Sequence, residues 1–182
     1  MNTLYKMHKI LILPNLAGEP TLVGIYSCIQ KIWKLTQSHL ITQPLSEGLV
    51  PLFMDLRAQG ITFESLYFVR GPGSFMALKL IYLFAKTLEI TQNVKLYATH
   101  AFHFNENFPI KAYGNCYFIQ ADSTNQSNTH ESKTLDKEAK ELNIHLQSFH
   151  TPPQRKPFVL PDILDLTLFN TQLKPLYLLP PI

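Results

Sequence analysis

The residues best placed to do chemistry lie in the stretch Arg70-Gly71-Pro72-Gly73-Ser74-Phe75. Glycines on both sides of a proline make a tight strand-to-helix turn, because Pro fixes one φ and Gly reaches backbone angles closed to other residues. Free N–H groups at a helix start attract phosphate, so the turn reads either as a well-made connection or as an anion cradle. Ser74 is placed to cap the helix through its hydroxyl. As a nucleophile it would need a base, and no His or Asp stands at a recognisable motif spacing from it. His100 and His103, three apart, would share a helix face, but a metal site needs further ligands and none has a recognisable spacing. Glu19 sits in a loop and reads as solvated surface. Cys28 and Cys116 belong to no framework of spacings and are expected as reduced, buried thiols. On these readings no residue is assigned a catalytic, cofactor-binding or metal-ligating role.

The elements that must position the turn surround it. Residues 65–69 are apolar and aromatic, a buried strand, and residues 75–90 have helical length without Pro or Gly. Upstream, 9–13 is a continuous apolar run ended by Pro14, and 22–26 and 31–35 read as two further strands. Short links between these three give an antiparallel meander, with a turn-rich connection over 15–20. Residues 44–60 form a helix capped by Ser46 and ended by Gly60. Leu45, Leu49, Leu52, Phe53 and Leu56 make its core stripe, while Val50, Met54 and Ala58 fall on a second apolar face. Pro51 is placed near its first turn, where a lost N–H matters least. In the helix after Ser74 the charged Lys79, Lys86 and Glu89 occupy one narrow side. Met76, Leu78, Leu80, Ile81, Leu83, Phe84, Ala85 and Leu88 cover most of the rest. A helix on a sheet needs an apolar stripe of only about 100°. The surplus is covered either by the neighbouring helix and second lobe or by another chain.

Beyond the turn, 95–97 is a short strand and 99–105 a helix capped by Thr99. Residues 112–120 form a strand, and 122–132 are polar and loop-like. A short charged helix follows at 135–142, a basic Pro-rich linker at 151–157 and a helix at 161–169. The tail, 175–181, has too much proline to be helical. At 182 residues and 46% hydrophobic, the chain builds one domain or two small lobes sharing a core. We divide it at 1–108 and 109–182, with a flexible insert at about 122–133. The net charge of +3 is too weak by itself to require nucleic acid. No apolar run is long enough to span a membrane, and no cleavable leader is recognised, so a soluble, cytoplasmic protein is expected.

Several segments also resemble one family. Gly71-Pro72-Gly73-Ser74-Phe75 is similar to the Gly-Pro-Gly-Ser-Phe-Thr-Gly signature of the TsaB (YeaZ) proteins, with Met76, Ala77 and Lys79 in place of Thr, Gly and Arg. Residues 45–51, within the 44–60 helix, resemble the family's His-Ser-Glu-x-Leu-Leu-Pro segment, with Leu45 for His. The tail Pro175-Leu176-Tyr177-Leu178-Leu179 resembles its Pro-Leu-Tyr-Leu-Arg ending. The resemblance covers about 9–104 and the tail. It implies an α/β fold with a ribonuclease-H-like (actin/Hsp70-type) first lobe and, here, a reduced second lobe. It also implies a non-catalytic subunit in the bacterial machinery that makes threonylcarbamoyladenosine in tRNA. Such a subunit pairs with a TsaD-like catalytic subunit, joins a TsaE-like ATPase in a larger complex, meets tRNA only indirectly and needs no cofactor of its own. The pairing surface would be Val50, Met54, Ala58, Met76, Leu80, Leu83 and Phe84, the same helices through which two copies could associate.

Two other classes compete. An actin-like ATPase or kinase would carry an Asp at the end of the first strand to hold a metal–phosphate group, where this chain has Pro14-Asn15-Leu16. A glycoprotease-type peptidase lacks the partners that would activate Ser74. A direct tRNA-binding module lacks clustered Lys and Arg.

Overall fold

Apolar residues alternate across strand β1 (Met7–Leu13), sending Ile10 and Ile12 to one face and Leu11 and Leu13 to the other, and all four are buried. Both faces of the sheet around β1 must therefore be covered. The computed structural model describes residues 7–14, 16–120 and 142–178. After β1 come β2 (Thr21–Ile29), β3 (Ile32–Ile41), α1 (Leu45–Ala58), β4 (Thr62–Val69), α2 (Phe75–Gln92) and β5 (Lys95–Thr99). The five strands form one sheet in the order β3-β2-β1-β4-β5. β2 runs antiparallel to β1 and β3, whereas β4 is parallel to β1 and β5 parallel to β4. A second sheet holds β6 (Ile110–Tyr113), β7 (Cys116–Gln120) and β8 (Ile144–Ser148), all antiparallel.

Both helices lie on one face of the larger sheet. There Leu49, Phe53 and Leu56 of α1 and Ile81, Ala85 and Leu88 of α2 pack on Ile10, Ile12, Val23, Ile25, Leu66 and Phe68. The opposite face is covered by chain from the second half. Phe118, Ile144, Phe158, Leu160, Leu164, Phe169 and Leu176 join Leu11, Leu13, Tyr26 and Tyr67 in one core. Residues on both sides of position 108 thus share that core.

The meander, both helices and the strands flanking the turn follow the sequence pattern, but several expectations are corrected. β3 continues to Ile41, because β2 pairs with it from Ile29↔Ile32 to Thr21↔Ile41, with one bulge that skips Thr36. Ser46, Ser74 and Thr99 cap nothing. Pro44 and His100 hold the cap positions of their elements, Ser74 holds its own, and none makes a side-chain capping bond. Pro51 lies inside α1, while Gly60 does end the helix, at φ +77. The expected helix at 99–105 is a single 3-10 turn, Ala101–Phe104. Residues 112–120 are the hairpin β6–β7, turning at Gly114 (φ +49).

The expected helix at 161–169 is extended chain with one short 3-10 turn, Leu166–Leu168. Its backbone bonds go to the sheet edges instead. Leu35 N–H donates to Asp162 O, Leu164 N–H to Trp33 O, and Ala98 and Asn170 exchange both bonds. Residues 163 and 170 therefore bridge the two outer strands, β3 and β5. The segment is thus a strap that runs from one edge of the sheet to the other. The insert at 122–133 and nearly all of the charged helix at 135–142 lie outside the described residues.

Candidate functional site

The turn between β4 and α2 is held from three sides. Arg70 N–H donates to Thr99 O at 2.9 Å, and Ala101 N–H donates to Gly71 O at 2.8 Å. The Gly71–Pro72 peptide is cis, and Gly71 has φ +131. A Cβ at Gly71 would lie 3.0 Å from both Cβ and O of Leu176, and one at Gly73 would lie 2.4 Å from Cδ2 of Leu16. Close approach by apolar side chains, rather than an open anion cradle, is what these glycines provide. Ser74 is exposed, and its carbonyl accepts the first helical bond, from Leu78 N–H at 3.0 Å.

The tail segment completes the turn. Leu176 N–H donates to Arg70 O at 2.7 Å, and the Tyr177 ring lies 4.5 Å from that of Phe75. The buried Arg70 side chain donates to Lys174 O and to Gln172 Oε1, at 3.2 and 3.4 Å. The two stretches that resemble one family, a hundred residues apart in sequence, therefore form one structural unit.

The outer face of the helix pair is apolar. Val50 is 51% exposed and Met54 67% on α1; on α2 Met76 is 58% and Leu83 52%. Ala58 is exposed too, whereas Leu80 and Phe84 are half-buried, the Phe84 ring meeting Phe53 edge-on at 4.7 Å. Ile90, 80% exposed, continues the row Met76, Leu83, Ile90 at intervals of seven and was absent from the sequence reading. Its heptad spacing from Met76 was the available signal. A groove of about 300 Å³ is lined by Phe53, Met54 and Arg57 of α1, Phe63 of β4, and Phe84 and Leu88 of α2.

Other candidate residues have structural duties. Pro14 is buried at the end of β1. Glu19 Oε2 accepts Phe158 N–H at 3.0 Å, tying its loop to the strap rather than lying free. His100 and His103 stack with ring centroids 3.9 Å apart. Burial, then the His103 and Arg70 charges, lower the His100 pKa to about 4; burial lowers that of His103 also. Both are held neutral at pH 7, because the charged ring loses water it cannot replace. Cys28 is exposed and Cys116 half-buried, contrary to the expected burial, because Cys28 lies in the uncovered end of β2 beyond Ser27 and Cys116 at the start of β7, with its Sγ 3.2 Å from Ser148 Oγ. Lys9 was not anticipated. It is buried in the sheet with Nζ 4.5 Å over Trp33, 5.4 Å over Tyr67 and 3.4 Å from Ser65 Oγ, and burial lowers its pKa. Among the described residues, no three His, Cys, Asp or Glu side chains gather as a metal site. Among the same residues, no helix is long and apolar enough to cross a membrane.

No protein-family model matches the chain, and no curated protein matches its sequence. Among solved structures it is similar to YeaZ from Pseudomonas aeruginosa, at 16% identity over 62% of this chain, with a TM-score of 0.47. It is similar to the same degree to an uncharacterised P. aeruginosa protein with similarity to the peptidase YeaZ. The chain spans 58% and 57% of the length of these two structures.

Proposed function

We propose that this chain is a TsaB (YeaZ)-like, non-catalytic partner subunit. It would pair through α1 and α2 with a TsaD-like catalytic subunit and hold that subunit in the state that transfers threonylcarbamoyl to tRNA adenosine. A TsaE-like ATPase would join the pair, and tRNA would meet this chain only through its partner, in the cytoplasm. The observation that carries the reading is the apolar outer face of the helix pair, with Val50, Met54, Met76 and Leu83 all more than half exposed on one side of the sheet. Apolar surface of that kind on neighbouring helices is what an interface uses. The strand order β3-β2-β1-β4-β5, with its antiparallel meander followed by two parallel strands, supports a ribonuclease-H-like first lobe. The contact between the turn and the tail supports treating the two family-like segments as one feature.

The test is reconstitution. The purified chain is mixed with the TsaD-like subunit from the same host, and complex formation and threonylcarbamoyl transfer are measured. Expected are a stable complex, transfer that depends on this chain, and no ATP hydrolysis or peptide cleavage by the chain alone. Robust turnover by the lone chain that vanishes in Ser74→Ala would overturn the reading in favour of an enzyme.

A further inference from the structure

The start of α2 has no cap of its own. Ser74 occupies the cap position, but its hydroxyl makes no capping bond, and the first turn carries no acidic side chain to meet the helix dipole. Free helix starts with neither device fray. The neighbouring contacts come from the tail. Leu176 bonds the backbone of Arg70 and lies on Gly71, and its own side chain is buried. Tyr177 sets its ring on Phe75, the first residue of α2, with 4.5 Å between centroids. Leu178, next in the chain, is buried again and anchors the far end. Met76, first residue of the exposed row, follows Phe75 directly.

We infer that Leu176 and Tyr177 are positioning residues: the docked tail packs against the start of α2 and fixes its first turn, and thereby the place of Met76 on the partner-facing side. The effect on α2 stands by itself. The effect on partner binding rests on the function proposed above.

Hydrogen exchange on the full chain separates the two. In Tyr177→Ala, amides 78–82 should exchange at least about tenfold faster while those of β1 and β4 keep their protection, because opening is local to the helix start. Tyr177→Phe, which keeps the ring, should match the wild type. Unchanged exchange at 78–82 in Tyr177→Ala would overturn the inference. So would protection lost equally from β1 and β4, or a Phe variant as damaged as the Ala variant. With the TsaD-like subunit as probe, Tyr177→Ala should bind about tenfold more weakly and Tyr177→Phe as wild type. Wild-type chain that binds no such subunit refutes the proposed function, and the exchange data then decide the positioning role alone.

Discussion

Met54→Glu isolates the helix face as an interface. In the free chain Met54 is 67% exposed on α1, so little of its apolar area is already buried. Full burial of a Met side chain is worth roughly 1.5–3 kcal/mol, which leaves about 1–2 kcal/mol to be gained on docking. The substitution removes that gain and places an unpaired carboxylate in the interface, a further penalty of several kcal/mol. A sum of about 4 kcal/mol weakens binding roughly a thousandfold, enough to abolish co-purification. The folded chain should not notice. Met and Glu have similar helix propensity, and exposed substitutions usually stay within about 0.5 kcal/mol. Titration of the TsaD-like subunit, with melting curves of each variant, measures both sides of the argument. Leu80→Glu is the contrast: Leu80 is half-buried, so that variant should lose melting temperature as well as binding. If Met54→Glu unfolds the chain, Met54 belongs to the core. If it stays folded and binds at wild-type strength, the interface lies elsewhere.

Gly71→Ala forces a side chain into φ +131 and against Leu176, so it should destabilise by about 1–3 kcal/mol, read as a melting temperature lower by several degrees. His100 has a folded pKa of about 4 against an ordinary 6.5, so the unfolded chain binds the extra proton first. Its contribution is complete above pH 6.5 and is lost as pH falls towards 4. A ceiling near 3.4 kcal/mol, roughly halved for the ring's partial exposure, should appear in urea midpoints at pH 7 and 4.5 and flatten in His100→Asn. Calorimetry of the lone chain with Mg-ATP should show no binding tighter than millimolar, since Pro14 offers no carboxylate at the end of β1; a micromolar constant would refute this.

The parts legible in the sequence are those where one local signal agrees with the tertiary environment. Residues 10–13 and 66–69 are continuous apolar runs, and both lie in interior strands buried on two faces. The later part of β3 was not legible, because Thr36, Gln37, Ser38 and His39 on an edge strand look like loop. Residues 161–169 carried a helix-start proline and apolar residues at helical intervals. What overrode the pattern was the chance to bond the open edges of the sheet, which no local window contains. The hairpin at 110–120 was announced by Gly114-Asn115, a turn dipeptide read through as strand. The helix face was drawn in outline, but Leu80 and Phe84 could not be told from Val50 and Met54. Periodicity gives the angle of a residue around its helix, not the height of its neighbours. Lys9 shows the same limit from the other side: the aromatic rings that receive its charge come from β3 and β4.

The two faces of the larger sheet are finished in ways that assign them different work. One carries regular helices whose outer sides stay apolar and open. The other is sealed by the strap and tail, whose Leu160, Leu164, Phe169 and Leu176 are all buried against it. A nucleotide-sized ligand seated on that face beside the end of β1 would have to displace those four side chains. At roughly 1.5–3 kcal/mol each, this amounts to about 6–12 kcal/mol, comparable with the whole stability of an ordinary domain. It would also break the Ala98–Asn170 pair and the Leu164–Trp33 bond, reopening both sheet edges. No ordinary ligand supplies that much and still binds with useful affinity. The strap is therefore structure rather than a lid. On the helix side, by contrast, binding would cover apolar surface that is already exposed.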